Sequence, residues 1–143
     1  MRTEEIKHFF DEFEAEATEI EGVECWSARR LQKLFGYNNW DSFKRVIKKA
    51  EDACKNAGES VENHFPALQK RTGKKNTGTE KLVDDIALTR YACYLIAQNG
   101  DSKKEEIAFA QNYFAVQTRR AELVEQKLRI DKIREEERLA KKK

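Results

Sequence analysis

Few residues in this chain are of types that do chemistry, and their spacing is unfavourable for it. Asp84 and Asp85 are adjacent carboxylates. Neighbours on a strand or helix point in different directions, whereas a nuclease-type metal site needs convergent acids. His64, beside Phe65 and Pro66, has the type of a general base, but nothing in the sequence supplies its partner, and a structural histidine is the simpler reading. The three cysteines, Cys25, Cys54 and Cys93, are odd in number and widely spaced, with only His8 and His64 to add ligands. That pattern predicts free thiols in a reducing cytosol and no zinc site. No glycine-rich phosphate loop, HExxH or GxSxG motif is present. The chain is therefore expected to be no enzyme, with no metal, no cofactor and no catalytic residue.

What remains is charge. The net charge of +2 conceals a segregation. Residues 1–25 hold nine acids against two bases, and the remainder holds 26 bases against 17 acids. Residues 29–49 contain Arg29, Arg30, Lys33, Lys44, Arg45, Lys48 and Lys49 against the single acid Asp41, and a polar connector adds Lys70, Arg71, Lys74 and Lys75. Local basicity attracts phosphate even when the total charge is near zero. These eleven residues are the candidate nucleic-acid-binding set. Trp26, Tyr37 and Trp40 could stack on unpaired bases, though aromatics beside a turn are more often core anchors.

The elements that would position these residues follow from periodicity. Residues 4–18 read as an acidic helix with an apolar stripe of Ile6, Phe9, Phe10, Phe13 and Ala17. Gly22 breaks it, and residues 23–27 read as a short strand. Ser27 caps a short helix over residues 28–35, with Arg29, Arg30 and Lys33 outward. A turn from Gly36 leads to a second helix over residues 40–57, ended by Gly58, with Phe43, Val46, Ile47, Ala50, Cys54 and Ala57 inward. This pair fits a helix–turn–helix with one extra turn residue, and fits an ordinary αα-hairpin equally well. Residues 58–84 are irregular, with short strands expected near 65–68 and 81–83 flanking a basic loop. Thr89 caps a third helix whose body, residues 91–97, is apolar on every side and so belongs in the core. Ser102 and Glu105 form an expected capping box.

From residue 102 a helix is expected to run unbroken to the end. Ile107, Ala110, Phe114, Ala121, Val124 and Leu128 form one stripe. Phe109, Tyr113, Val116, Leu123 and Ile130 form a second, the candidate interaction surface. Together they cover an arc wider than one core requires. That predicts contact with a second body, either another copy of the chain through this helix or a segment beyond residue 143. The charged end with no cap suggests a fragment of a longer protein. The N-terminus has no signal-peptide pattern, and no apolar run would span a bilayer. A cytoplasmic protein with no membrane partner is the expectation. The fold class is α+β, mostly helical, with a small N-terminal sheet or hairpin, a buried central helix and a long C-terminal helix. Its expected divisions are an acidic helix at 1–22, an α+β core at 23–101 and the long helix at 102–143.

Several longer motifs carry a family resemblance. They are Glu24-Cys25-Trp26-Ser27-Ala28-Arg29-Arg30-Leu31, then Leu34-Phe35-Gly36-Tyr37, Ile47-Lys48-Lys49-Ala50 and Glu62-Asn63-His64-Phe65. Leu88-Thr89-Arg90-Tyr91-Ala92-Cys93-Tyr94-Leu95-Ile96-Ala97-Gln98-Asn99-Gly100-Asp101 is the longest, followed by Ala110-Gln111-Asn112-Tyr113-Phe114-Ala115-Val116-Gln117-Thr118-Arg119-Arg120. The stretch resembles the bacterial DNA-damage-inducible protein D family, and its first half resembles the viral and phage BRO N-terminal domain. The resemblance implies a regulator of the SOS response that binds DNA, acts on filaments of a RecA-type recombinase, or does both. The alternative it leaves is a phage antirepressor-like interaction or transcription-regulatory module without direct DNA binding. The basic, threonine-rich residues 70–79 depart from the family, where a more hydrophobic hairpin is expected.

Overall fold

The computed structural model describes residues 2–73 and 78–142. Contacts divide the chain into two compact units, residues 1–111 and 112–143. The first unit is α+β, as the sequence pattern predicts. Helix α1 (Arg2–Ala15) leads to strands β1 (Thr18–Ile20) and β2 (Val23–Ser27), then helices α2 (Ala28–Leu34), α3 (Trp40–Asn56) and α4 (Val61–His64). A hairpin of β3 (Ala67–Thr72) and β4 (Lys81–Leu88) precedes α5 (Arg90–Asn99) and the start of α6 (Glu105–Lys141). The four strands form an antiparallel sheet in the order β1-β2-β4-β3.

Helix α1 ends at Ala15, three residues before the end of the expected helix over 4–18, and residues 18–20 are a strand. The β-branched Thr18 and Ile20 pair with Cys25 and Val23 across a turn in which Glu21 and Gly22 both take positive φ, 51° and 81°. Two such residues match the twist of a hairpin, and a glutamate in the first position hides the signal. Phe13 stacks on Trp26 with ring centroids 4.6 Å apart, and both are fully buried. The Trp26 indole N–H donates to the Phe13 carbonyl at 2.7 Å, which satisfies an orphan carbonyl in the last turn of α1.

Four helices start on side-chain caps, among them α4 on Ser60. Ser27 accepts from the Arg30 amide, Asn39 from the Ser42 amide at 2.8 Å and Thr89 from the Ala92 amide at 3.2 Å. Helix α3 ends in a Schellman arrangement, with Gly58 N–H on the Lys55 carbonyl and Glu59 N–H on the Cys54 carbonyl. Ala57 falls past the last turn and is exposed, not part of the buried stripe. Helices α3 and α5 pack on each other. Cys93 and Ile96 are fully buried there, but Tyr91 and Tyr94 lie half-exposed, so α5 is not apolar-packed all round.

Both strands of the β3–β4 hairpin are longer than the apolar pattern suggests. Their outward charges alternate with half-buried Leu68 and Val83. The inner end of β4 is hidden in the sequence by Asp85, which is 3% exposed. Its carboxylate accepts from the Ser27 hydroxyl and, at 3.0 Å, from the Arg29 amide. A strand thus holds the N-terminus of α2, where a negative charge is favoured. Replacing Asp85 with alanine strips both bonds. The variant is expected to lose about 3 kcal/mol of stability in urea unfolding, given the worth of buried hydrogen bonds to a charged group.

Helix α6 begins at Glu105, three residues past the expected cap at Ser102. The Asp101 carboxylate takes the Lys103 amide at 3.0 Å, its carbonyl takes the Lys104 amide, and the Ser102 hydroxyl pairs with Gln111. A carboxylate two residues before the amide outcompetes a hydroxyl for the turn.

Candidate nucleic-acid interface

The nine described basic residues sit on three separate elements, α2, α3 and β3. Arg29, at the start of α2, is half-buried. Its Nε donates to the Asp84 carbonyl at 2.7 Å, and its guanidinium lies 4.0 Å over the Trp40 ring. Arg30 sits 3.6 Å from the Glu16 carboxylate. Lys33 joins Arg30 in a pocket of about 600 Å³ whose rim includes Glu4, Glu12, Glu16 and Glu106 and whose floor includes Phe9 and Phe109. The α2 bases are therefore offset by acids of α1 and of the start of α6. Arg30 and Lys33 are exposed, as their helix positions predict, with these acids around them, and Arg29 is half-buried. Helix α1 also cannot be removed to unmask charge, because Phe9 and Phe13 are core residues.

Helix α3 behaves differently. Its 3.6-residue repeat buries Phe43, Val46, Ile47 and Ala50, and leaves Lys44, Arg45, Lys48 and Lys49 exposed. Lys48 lies 3.4 Å from Asp52, one turn on. Lys44, Arg45 and Lys49 have no ion-pair partner among the described residues. On the hairpin, Lys70 is half-exposed and Arg71 stands 3.6 Å from Glu80. Lys74 and Lys75 lie outside the described residues. The α3 bases and the hairpin bases sit on separate elements, one packed on α5 and the other extending the sheet.

The aromatic residues are mostly occupied. Trp26 is fully buried, Tyr37 is 6% exposed, and Trp40 lies under Arg29. The His64 Nδ1 is 2.7 Å from the Thr89 hydroxyl, its Nε2 is 3.8 Å from the Glu59 carboxylate, and its ring packs edge-on to Tyr91 at 4.8 Å. Asp84 and Asp85 diverge, Asp84 exposed and Asp85 buried at the α2 cap. Among the described residues no group of three or more His, Cys, Asp and Glu is placed to hold a metal, and no helix is long and apolar enough to cross a membrane.

One polar pocket, of about 420 Å³, was not legible in the sequence. Tyr37, Asn39, Ser42, Lys49, Asn99 and Lys104 line it, brought together from the α2–α3 turn, from α3 and from the α5–α6 turn. Asn38-Asn39 and Asn99-Gly100 read in sequence only as turn and cap residues.

In the long helix, the two expected apolar stripes are exposed only in part. Phe109 is buried against Phe9, with ring centroids 6.4 Å apart. In the second unit Tyr113 and Phe114 are buried, Val116 is half-buried, and Leu123, Val124, Leu128 and Ile130 are exposed. The interaction stripe of Phe109, Tyr113, Val116, Leu123 and Ile130 is therefore not one free surface.

The first unit thus combines a buried Trp–Phe stack, a short capped helix, a basic amphipathic helix and a small antiparallel sheet. Residues 16–115 match the BRO family, N-terminal domain, and the chain belongs to that family. It is similar to the DNA damage-inducible protein D of Escherichia coli (strain K12), with 43% identity over 116 residues, 81% of this chain and 42% of that protein. The chain thus spans less than half the length of this relative. No solved structure matches it.

Proposed function

We propose that this BRO-type domain is a non-enzymatic regulatory module of the DNA-damage response that binds DNA through its phosphates, using the outer face of α3. The observation that carries this is the set Lys44, Arg45 and Lys49, exposed on a well-anchored helix with no ion-pair partner among the described residues, beside the exposed Lys48. The similarity to a protein named for induction by DNA damage supports the setting. Lysine-rich faces contact phosphates as point charges and read bases poorly, so sequence preference is expected to be slight.

The test is a titration of fluorescent single- and double-stranded oligonucleotides at several salt concentrations. Each neutralised phosphate contributes close to one unit of log–log slope, so four bases predict a slope of roughly −3 to −4 on duplex DNA. No binding at low salt would remove this reading.

A protein-interaction reading has its own support. Leu123, Val124, Leu128, Ile130 and Ile133 are each about half-exposed or more, and such apolar surface on a soluble protein usually meets a partner. The partner would be a second copy of the chain or a recombinase filament. If it is a second copy, sedimentation at high micromolar concentration will show self-association, and Leu123→Glu will weaken it by about tenfold or more, the worth of one buried leucine. Binding to DNA only when filament is present would favour the second partner.

A further inference from the structure

The polar pocket beside α3 has the chemistry of an anion site, and three observations converge on it. The first is charge. Lys49 and Lys104 line the pocket, and Lys104 is held in place, its Nζ donating to the Gly36 carbonyl at 3.1 Å and lying 5.1 Å over the Tyr37 ring. Asp101 is the one acid in the lining, and its carboxylate is engaged with the Lys103 amide. The second is the start of α3, a 17-residue helix whose first turn borders the pocket at Asn39 and Ser42. The Ser42 amide is taken by the Asn39 side chain, so what this helix start offers an anion is its dipole.

The third observation points to a ligand directly. Tyr37 lines the pocket and is 6% exposed, and the proton of its buried hydroxyl has no acceptor. Burial raises its pKa above the usual tyrosine value, a hydrogen bond from the Asp101 amide opposes this and the Asp101 charge adds to the rise, so at neutral pH it keeps its proton. It is a buried donor without an acceptor, in a molecule where the other described buried side chains are nearly all satisfied. An oxyanion with several acceptor oxygens would complete it. The pocket volume exceeds that of phosphate alone and leaves room for an attached sugar.

We infer that this pocket binds a phosphate monoester, with Tyr37, Ser42, Lys49 and Lys104 as its donors. This deepens the DNA-binding reading, because Lys49 belongs to both the pocket and the α3 face. A phosphate monoester has two sources, the 5′ end of a DNA strand and a free mononucleotide. A strand end in the pocket would place the following phosphates along α3.

The test compares oligonucleotides of one sequence carrying a 5′-phosphate or a 5′-hydroxyl, with inorganic phosphate and deoxyadenosine monophosphate as competitors. The phosphorylated strand should bind about tenfold more tightly, the scale of one or two hydrogen bonds to a charged group. Tyr37→Phe keeps the ring and removes only the unpaired O–H. It should abolish that preference while binding the hydroxyl strand as the parent does and melting no lower than the parent. Ser42→Ala should reduce the preference in part. Mononucleotide that competes as well as the phosphorylated strand identifies free nucleotide as the source, and competition by phosphorylated strand alone identifies DNA ends. Equal affinity for the two strands overturns the pocket assignment and leaves the α3 reading standing. If neither strand binds, the α3 reading fails, and the pocket is decided by whether the mononucleotide raises the melting temperature of the parent but not of Tyr37→Phe.

Discussion

Cys93→Arg will not fold. Cys93 lies in the middle of α5 with no solvent exposure, flanked by the buried Ala92, Leu95, Ile96 and Ala97. Burial pushes its thiol well above the usual cysteine range, with the charge on Arg90 opposing and Glu24 adding to the rise. A guanidinium at this position has no carboxylate waiting for it. Glu14 and Glu24 already hold Arg90, which also lies 5.1 Å over the Trp26 ring. An uncompensated buried ion costs several kcal/mol after relaxation, and the added volume costs about 1–3 kcal/mol more. The sum is of the order of a whole domain's stability, roughly 5–15 kcal/mol. Circular dichroism is expected to show loss of helix at 25 °C and no cooperative melting. Cys54→Ser, equally buried on α3, only exchanges the thiol for a hydroxyl and should cost about 1–3 kcal/mol, so that it still melts cooperatively. A Cys93→Arg protein that melts like the parent would mean that α5 is not the centre of the fold.

The helices were legible where one residue type carries one meaning. Ser27 and Thr89 before apolar runs marked helix starts, and Gly58 after the α3 stripe marked an end. The parts that were missed depend on residues distant in sequence. Strand β1 is invisible as three exposed residues until Cys25 and Val23 pair with it. Asp85 breaks the apolar run of β4, and its reason for being buried is the start of α2, far back in the chain. Helix α4 is a single turn capped by Ser60, too short to show a period.

The same rule divides the candidate site. Lys44, Arg45, Lys48 and Lys49 could be placed on the solvent side of α3 from periodicity alone, because their surroundings are set by their own helix. The surroundings of Arg29 and Arg30 could not, because Trp40, the Asp84 carbonyl and Glu16 meet them from other elements. The buried hydroxyl of Tyr37 acquires meaning only when the turns at 36–39 and 99–104 meet.

Reversing two charges on α3 should have the largest effect on binding. In Lys44→Glu with Lys48→Glu, two bases one turn apart become acids, and Lys49 and Arg45 are left beside them. The side chains concerned are exposed, and the one ion pair involved, Lys48 with Asp52, has both partners well hydrated. Such pairs contribute little to folding, so the melting temperature should stay near that of the parent. Binding should not. Losing two phosphate contacts lowers the log–log salt slope by about two units, and the new acids repel the same backbone. At low salt the affinity for duplex DNA is expected to fall roughly a hundredfold, and at physiological salt, where the screening length is about 8 Å, the gap should narrow while both proteins bind more weakly. The loss should be similar for unrelated sequences, since phosphate contacts carry no sequence information. A variant with Arg30→Glu and Lys33→Glu is the matched control. It removes the same charge from α2, where acids already offset it, and should change binding far less. Parent and α3 variant binding DNA alike, with an unchanged slope, would make the α3 face a solvated surface only. The exposed leucines and isoleucines of the second unit would then be the place to look for what this protein does.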